Sequence, residues 1–238
     1  MTQTTLLVFA RAVGLVSRAP GFAHPSVPHA VRVAFAFALA FAIAPTVTPA
    51  ARLDLVAFTL AIAGDFALGA AIGFGASLLY DGAYFAGRTI DDYLGVRGSM
   101  PGAHVTSAQA FGRLWSSVFL AAFVLLDGWV PVVGAFAGSF AHVAPGAFVD
   151  GSGWMRYALA LPSTILRAAF VVAAPAIAVA AALQLSLAAV ARVVPRLSSF
   201  TLAFPAVFAA GLLVTIATLP LLAPLGARPW LVAPWSAP

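Results

Sequence analysis

The sequence predicts an all-α, polytopic membrane protein of about six apolar helical segments, kinked by Pro and Gly and arranged as hairpins. Three observations carry this reading. Of 238 residues, 63% are hydrophobic and only 8% are charged, where soluble domains carry about 25% charged residues. Mean hydropathy is +1.03. Uncharged stretches of span length recur; residues 33–51 hold nineteen in a row, close to the roughly 20 that a bilayer core requires.

In chain order, residues 4–17 are apolar but interrupted by Arg11 and short for a span, so they read as an amphipathic or partly buried first helix. Residues 18–32 hold Pro20, Pro25 and Pro28, which prevents a continuous helix and predicts a structured turn. Residues 33–51 form the first clear span, kinked or ended by Pro45 and Pro49, and Arg52 and Asp54 mark a tight connection. Residues 55–80 form another span, carrying Asp65 and Gly64, Gly69, Gly73 and Gly75. Gly69 and Gly73 make a small-xxx-small pair that lets a second helix approach closely.

Residues 80–113 are a polar, glycine-rich island holding three of the seven carboxylates and three of the twelve arginines. Its second half, with Gly98, Pro101 and Gly102, cannot bury enough apolar area to pack as a core element and reads as a loop or short broken helix. Residues 114–140 are apolar except for Asp127 and Gly128, giving one long kinked helix or two short ones around Gly128 and Pro131. A Gly/Pro loop over 142–154 leads to a long apolar segment, 155–190, with Arg167 and kinks at Pro162 and Pro175. A basic turn at 192–196, a last span at 197–225 and a tail with interfacial Trp230 and Trp235 complete the chain.

Charge and composition exclude several functions. All twelve basic residues are Arg and all seven acidic ones are Asp, for a net charge of +5. Seven arginines at the connections (Arg18, Arg32, Arg88, Arg97, Arg113, Arg192, Arg196) fall on one side, and Arg52, Arg156 and Arg228 on the other. The positive-inside rule puts the seven in the cytoplasm. No basic patch interleaved with aromatics suggests nucleic-acid binding. Zero cysteines exclude disulfides, thiolate catalysis and Cys-ligated metal. No positive segment precedes the first apolar run, so a cleaved signal peptide is not expected.

The residues with chemistry are few. Asp65 sits mid-segment among apolar neighbours, where a charge costs roughly 2.5–3.5 kcal/mol on insertion scales. It reads either as half of a structural pair with an Arg of a neighbouring helix or subunit, or as a gating or proton-coupling group. Asp91 and Asp92, near Arg88 and Arg97, point in different directions on a helix and suit a salt-bridge cluster better than a chelate. His24, His29, His104 and His142 fit no metal or triad spacing, and no GxGxxG or P-loop occurs. No enzyme, cofactor or metal is implied.

Three stretches in order carry a family resemblance: Arg11 and Gly14 to Pro28 and Arg32; Asp65, Gly69 and Gly73 to Gly87, Asp91 and Gly95; and Gln184 to Arg192 and Pro195, then Pro205 and Gly211. Over nearly the whole chain this resembles the FliR/SctT family of inner-membrane export-gate proteins of bacterial type III secretion, flagellar or injectisome. The family usually has Glu at Asp65 and Gln and Asn after the proline where Arg196 and Ser198 stand, which points to an injectisome-type or divergent member.

The resemblance implies a non-enzymatic component of a helical pore in the bacterial inner membrane. Its partners would be FliP/SctR-like and FliQ/SctS-like small membrane proteins, with the FlhB/SctU-like switch protein nearby, and unfolded substrates would pass through. It implies an N-terminal part, 1–154, and a C-terminal hairpin, 155–238, with its tip at 192–196 near Arg192 and Pro195. It also implies a plug loop at 98–113; the residues themselves read either as an ordinary exposed loop or as a flexible plug, with Gly98, Pro101, Gly102 and Gly112 as hinges, Met100, Val105 and Phe111 as the apolar seal, and His104 as a pH-sensing or merely polar member. Asp65, Gly69, Gly73, Gly87, Asp91, Arg192 and Pro195 would serve assembly. The rival reading is a stand-alone ion- or proton-coupled permease using Asp65.

Overall fold

The computed structural model describes residues 2–24, 27–93 and 111–193, and five residues between 209 and 217. All the regular structure among them is helical: α1 (Gln3–Arg18), α2 (His29–Ile43) ending in a 3₁₀ turn (Ala44–Thr46), α3 (Leu55–Tyr93), α4 (Phe111–Leu125), α5 (Trp129–His142) and α6 (Gly151–Val193). Two of these helices are long and apolar enough to cross a membrane, over His29–Thr46 and Leu55–Leu78. A third crossing results if α4 and α5, bent by 70°, count as one. The all-helical class holds, and among the described residues two or three candidate spans are found, so a count of six spans is not confirmed. The predicted last span, 197–225, lies almost wholly outside the described residues.

α1 starts where Thr2 Oγ1 accepts the Thr5 N–H, at 3.3 Å, satisfying one free donor of the first turn. Its buried positions include Leu7, Val8, Arg11, Ala12, Leu15 and Val16, a helical stripe. α2 begins at His29, before the uncharged stretch, because Pro28 just ahead of it has the backbone geometry of a helix start. It folds back on α1, with Phe9 stacked on Phe37 at 4.2 Å and Phe22 on Phe35 at 4.4 Å. Pro45 ends it in the 3₁₀ turn.

α3 differs most from expectation. It runs unbroken for 39 residues, through the first half of the polar island. No proline lies between Pro49 and Pro101 to stop it, and Ala86 and Ile90 keep a buried face four residues apart. The 114–140 segment resolves as two helices. Gly128 N–H donates to Phe123 O at 2.7 Å and Asp127 N–H to Val124 O at 3.4 Å. With Asp127 at φ 53°, this is a Schellman turn, and it is what bends the pair. Pro131 falls in the first turn of α5, where its missing N–H costs little. α6 runs from 151 to 193 through both prolines. Asp150 begins it, accepting from Ser152 Oγ and from Gly153 N–H at 3.1 Å. Those bonds, the Ser152 hydroxyl first, hold the Asp150 carboxyl below its ordinary value.

Among the described residues the chain forms two compact units, one of residues 2–78 and 120–164, the other of residues 79–93, 111–119 and 165–193. The core of the first joins α1, α2, α3, the end of α4 and α5 through Val8, Leu15, Ala36, Ile72, Phe123 and Phe136. In the second, Trp115 is fully buried and packs beside Phe119, at 5.9 Å between ring centroids.

Candidate functional site

The site is built around Asp65, and it begins with a close helix crossing. A Cβ placed on Gly69 would lie 1.8 Å from Arg11 O, one on Gly73 2.5 Å from Leu15 O, and one on Gly14 2.1 Å from Phe66 O. Any side chain there would overlap backbone, so α1 and α3 touch main chain to main chain and run in the same direction. Arg11 and Asp65 both occupy core positions of their stripes: Leu7, Arg11 and Leu15 on α1, and Ala61, Asp65 and Leu68 on α3. The crossing presses these positions together.

Arg11 and Asp65 form an ion pair with both side chains at 0% exposure. Arg11 Nε donates to Asp65 Oδ1 at 2.7 Å, and its NH2 group reaches the same oxygen. NH1 donates to Ser139 Oγ at 2.9 Å and to Val143 O at 3.0 Å, and NH2 reaches Ala144 O at 3.5 Å. All five guanidinium protons thus have an acceptor. The other carboxylate oxygen, Oδ2, accepts the Gly146 N–H at 2.9 Å. Ser139 in turn donates to Phe136 O at 2.7 Å, and the Phe140 ring lies against the guanidinium, 4.1 Å from Cζ.

One pair therefore ties four segments together: α1, α3, the end of α5 and the connection that follows it. That connection turns at Gly146, φ +82°, a backbone conformation strained for any side chain. Irregular backbone at the depth of mid-α3 is tolerated because its carbonyls and amide end on Arg11 and Asp65 rather than on lipid. Chemically the arrangement is a closed network. Asp65 has both oxygens bonded within the chain and is buried on all sides.

The other expected residues are placed as follows. Gly98, Met100, Pro101, Gly102, His104, Val105 and Pro195 lie outside the described residues. Phe111 and Gly112 open α4. Gly112 N–H donates to Asp91 Oδ2 at 3.1 Å, so Asp91, itself 4% exposed, satisfies a free donor at the start of α4. Gly69 and Gly73 lie under α1, as described above; Gly87 is buried further along α3, and Arg192 is exposed in the last turn of α6. Sequence reasoning treated Arg11 as an interruption of a weak helix. It missed Ser139, Phe140 and Gly146 entirely. For Arg11 a signal existed: a lone charge four residues from Leu7 and Leu15 sits on the apolar face. For Gly146 none did.

The model of a family described as "Bacterial export proteins, family 1" matches residues 2–230. A flagellar biosynthetic protein FliR from Escherichia coli (strain K12) is 27% identical over 222 residues, 90% of this chain and 83% of that protein. A flagellar biosynthetic protein FliR from Aquifex aeolicus (strain VF5) is 26% identical over 224 residues, 92% of this chain and 86% of that protein.

Proposed function

The chain belongs to the bacterial export proteins, family 1, and from that membership we propose that it is a subunit of the flagellar-type III export gate, helping to form and plug a channel for unfolded substrates. The observation that carries this is the match along nearly the full length of chains named flagellar biosynthetic protein FliR. Both relatives bear flagellar names, so the flagellar machine is the reading adopted over the injectisome. The chain works in the bacterial inner membrane as a multi-pass subunit beside FliP/SctR-like, FliQ/SctS-like and FlhB/SctU-like proteins. Its division into 1–154 and a hairpin over 155–238 with a tip at 192–196 belongs to the same reading.

In this reading residues 98–113 plug the channel, and Asp91 anchors the far end of that stretch through Gly112. The plug is tested by deleting residues 98–110 and recording ion conductance of the assembled complex in a bilayer. A raised resting conductance is expected; conductance equal to wild type overturns the plug. The closed Arg11–Asp65 network supports an architectural role for Asp65. An ion-coupling carboxylate has to be reached by its ion, and this one is enclosed. No observation favours the stand-alone permease.

A further inference from the structure

At the end of the first unit where α1 begins lies an open cavity of about 690 Å³. Its walls come from the start of α1 (Thr2, Gln3, Thr4), the 3₁₀ turn after α2 and the loop before α3. That loop has no regular structure, yet it is firmly held. The Gln3 side chain donates to Leu53 O and accepts from Leu53 N–H, both at 3.1 Å, and Thr4 Oγ1 accepts from Ala50 N–H at 3.0 Å. These bonds fix the loop that presents Arg52.

The lining is one-sided in charge. Arg52 is the charged member, and no carboxylate is among the lining residues. Its guanidinium has no ion-pair or hydrogen-bond partner among the described residues. The first amides of α1, at Gln3 and Thr4, have no acceptor within the helix, and they add partial positive charge at the same end. The remaining walls are apolar, with Pro45, Val47 and Pro49 prominent. The size falls within the roughly 300–1,000 Å³ of small-molecule sites.

Position selects among anions. The cavity lies between Thr46, where one candidate span ends, and Leu55, where the next begins. With both candidate spans across a bilayer, that is the level at which lipid headgroups meet water. We propose that this cavity binds the phosphate of an anionic phospholipid, with Arg52 as its charged contact and the Pro45–Val47–Pro49 wall against the glycerol and upper acyl chain. Neither the family match nor the plug stretch enters this assignment, so the site stands independently of the export reading.

The test uses the full-length chain in a phosphate-free, non-ionic detergent. Its thermal unfolding is titrated with short-chain phosphatidylglycerol, short-chain phosphatidylcholine and inorganic phosphate. Phosphatidylglycerol is expected to raise the midpoint saturably in wild type. Arg52→Gln weakens its apparent affinity about tenfold, the order expected for one lost charge-assisted contact. Arg52→Lys keeps most of it, and Arg156→Gln, an exposed arginine on α6, changes nothing. Arg52 is exposed, so the lipid-free midpoint of Arg52→Gln should match wild type. Inorganic phosphate matching phosphatidylglycerol at equal concentration overturns the lipid assignment in favour of a free anion. Equal shifts with phosphatidylcholine, or unchanged affinity in Arg52→Gln, overturn the site.

Discussion

Among single residues, Arg11 and Asp65 carry the largest energetic consequences. Two charges withdrawn from water are sustained by their mutual attraction and by hydrogen bonds to every remaining proton and lone pair in reach. Removing one partner leaves the other buried and unpaired. Asp65→Leu or Arg11→Met alone is expected to destabilise the fold by about 3–5 kcal/mol, read as a fall in the thermal unfolding midpoint. The double variant should recover much of that loss, because no uncompensated charge remains. A double variant as unstable as the sum of the singles would show that Ser139, Val143 and Gly146 depend on the pair itself. Gly146→Ala tests the turn beside it. Forcing a side chain to φ +82°, with Leu7 Cδ1 3.3 Å from the new Cβ, should cost about 1–2 kcal/mol, measured in the same melt.

For the elements, the crossing of α1 and α3 is set by three glycines, and it is unforgiving. Gly69→Ala places a methyl 1.8 Å from Arg11 O, which only a shift of one backbone can relieve. That shift also pulls Arg11 from Asp65. The expected loss exceeds the usual 1–3 kcal/mol of overpacking, whereas Gly134→Ala inside α5, where a Cβ meets nothing within 4 Å, should raise the midpoint slightly, because Ala is favoured over Gly in a helix interior by about 0.5–1 kcal/mol. The start of α6 carries a pH dependence. The Asp150 carboxyl sits below its ordinary 3.8 in the folded chain, so the stability it adds is present above that value and is lost as pH falls through the lower, folded one. Amide exchange at Gly153, corrected for intrinsic rate, should lose protection on acidification below about pH 4. Asp150→Asn should remove that dependence.

For the whole molecule, the question is what the exposed apolar surface meets. Phe41, Leu60 and Leu159 are more than half exposed, and in a membrane such faces meet lipid or other subunits. The export reading predicts that the tagged chain, extracted in mild detergent at native expression, is recovered with two small hydrophobic proteins in fixed ratio by mass spectrometry. Recovery as a monomer or homodimer would overturn the hetero-oligomeric reading.

The sequence by itself determined the solvent, the helical class and the family. Hydropathy and charge scarcity are properties of composition, and Pro28, Pro45 and Gly128 mark where α2 starts, where it ends and where α4 turns into α5, although Pro162 and Pro175 do not interrupt α6. It marked Asp65 as costly and Gly69 and Gly73 as points of close approach, because those are consequences of residue type and of spacing along one helix. It did not reveal that α3 continues through the polar island, since that depends on Ala86 and Ile90 finding a packed surface. Nor did it reveal the partner of Asp65. Arg11 lies 54 positions away and Gly146 another 81 beyond Asp65, and nothing local to any of the three encodes the others. Only the packing of α1 on α3, with the turn after α5 closed over it, turns a costly buried charge into half of a satisfied pair.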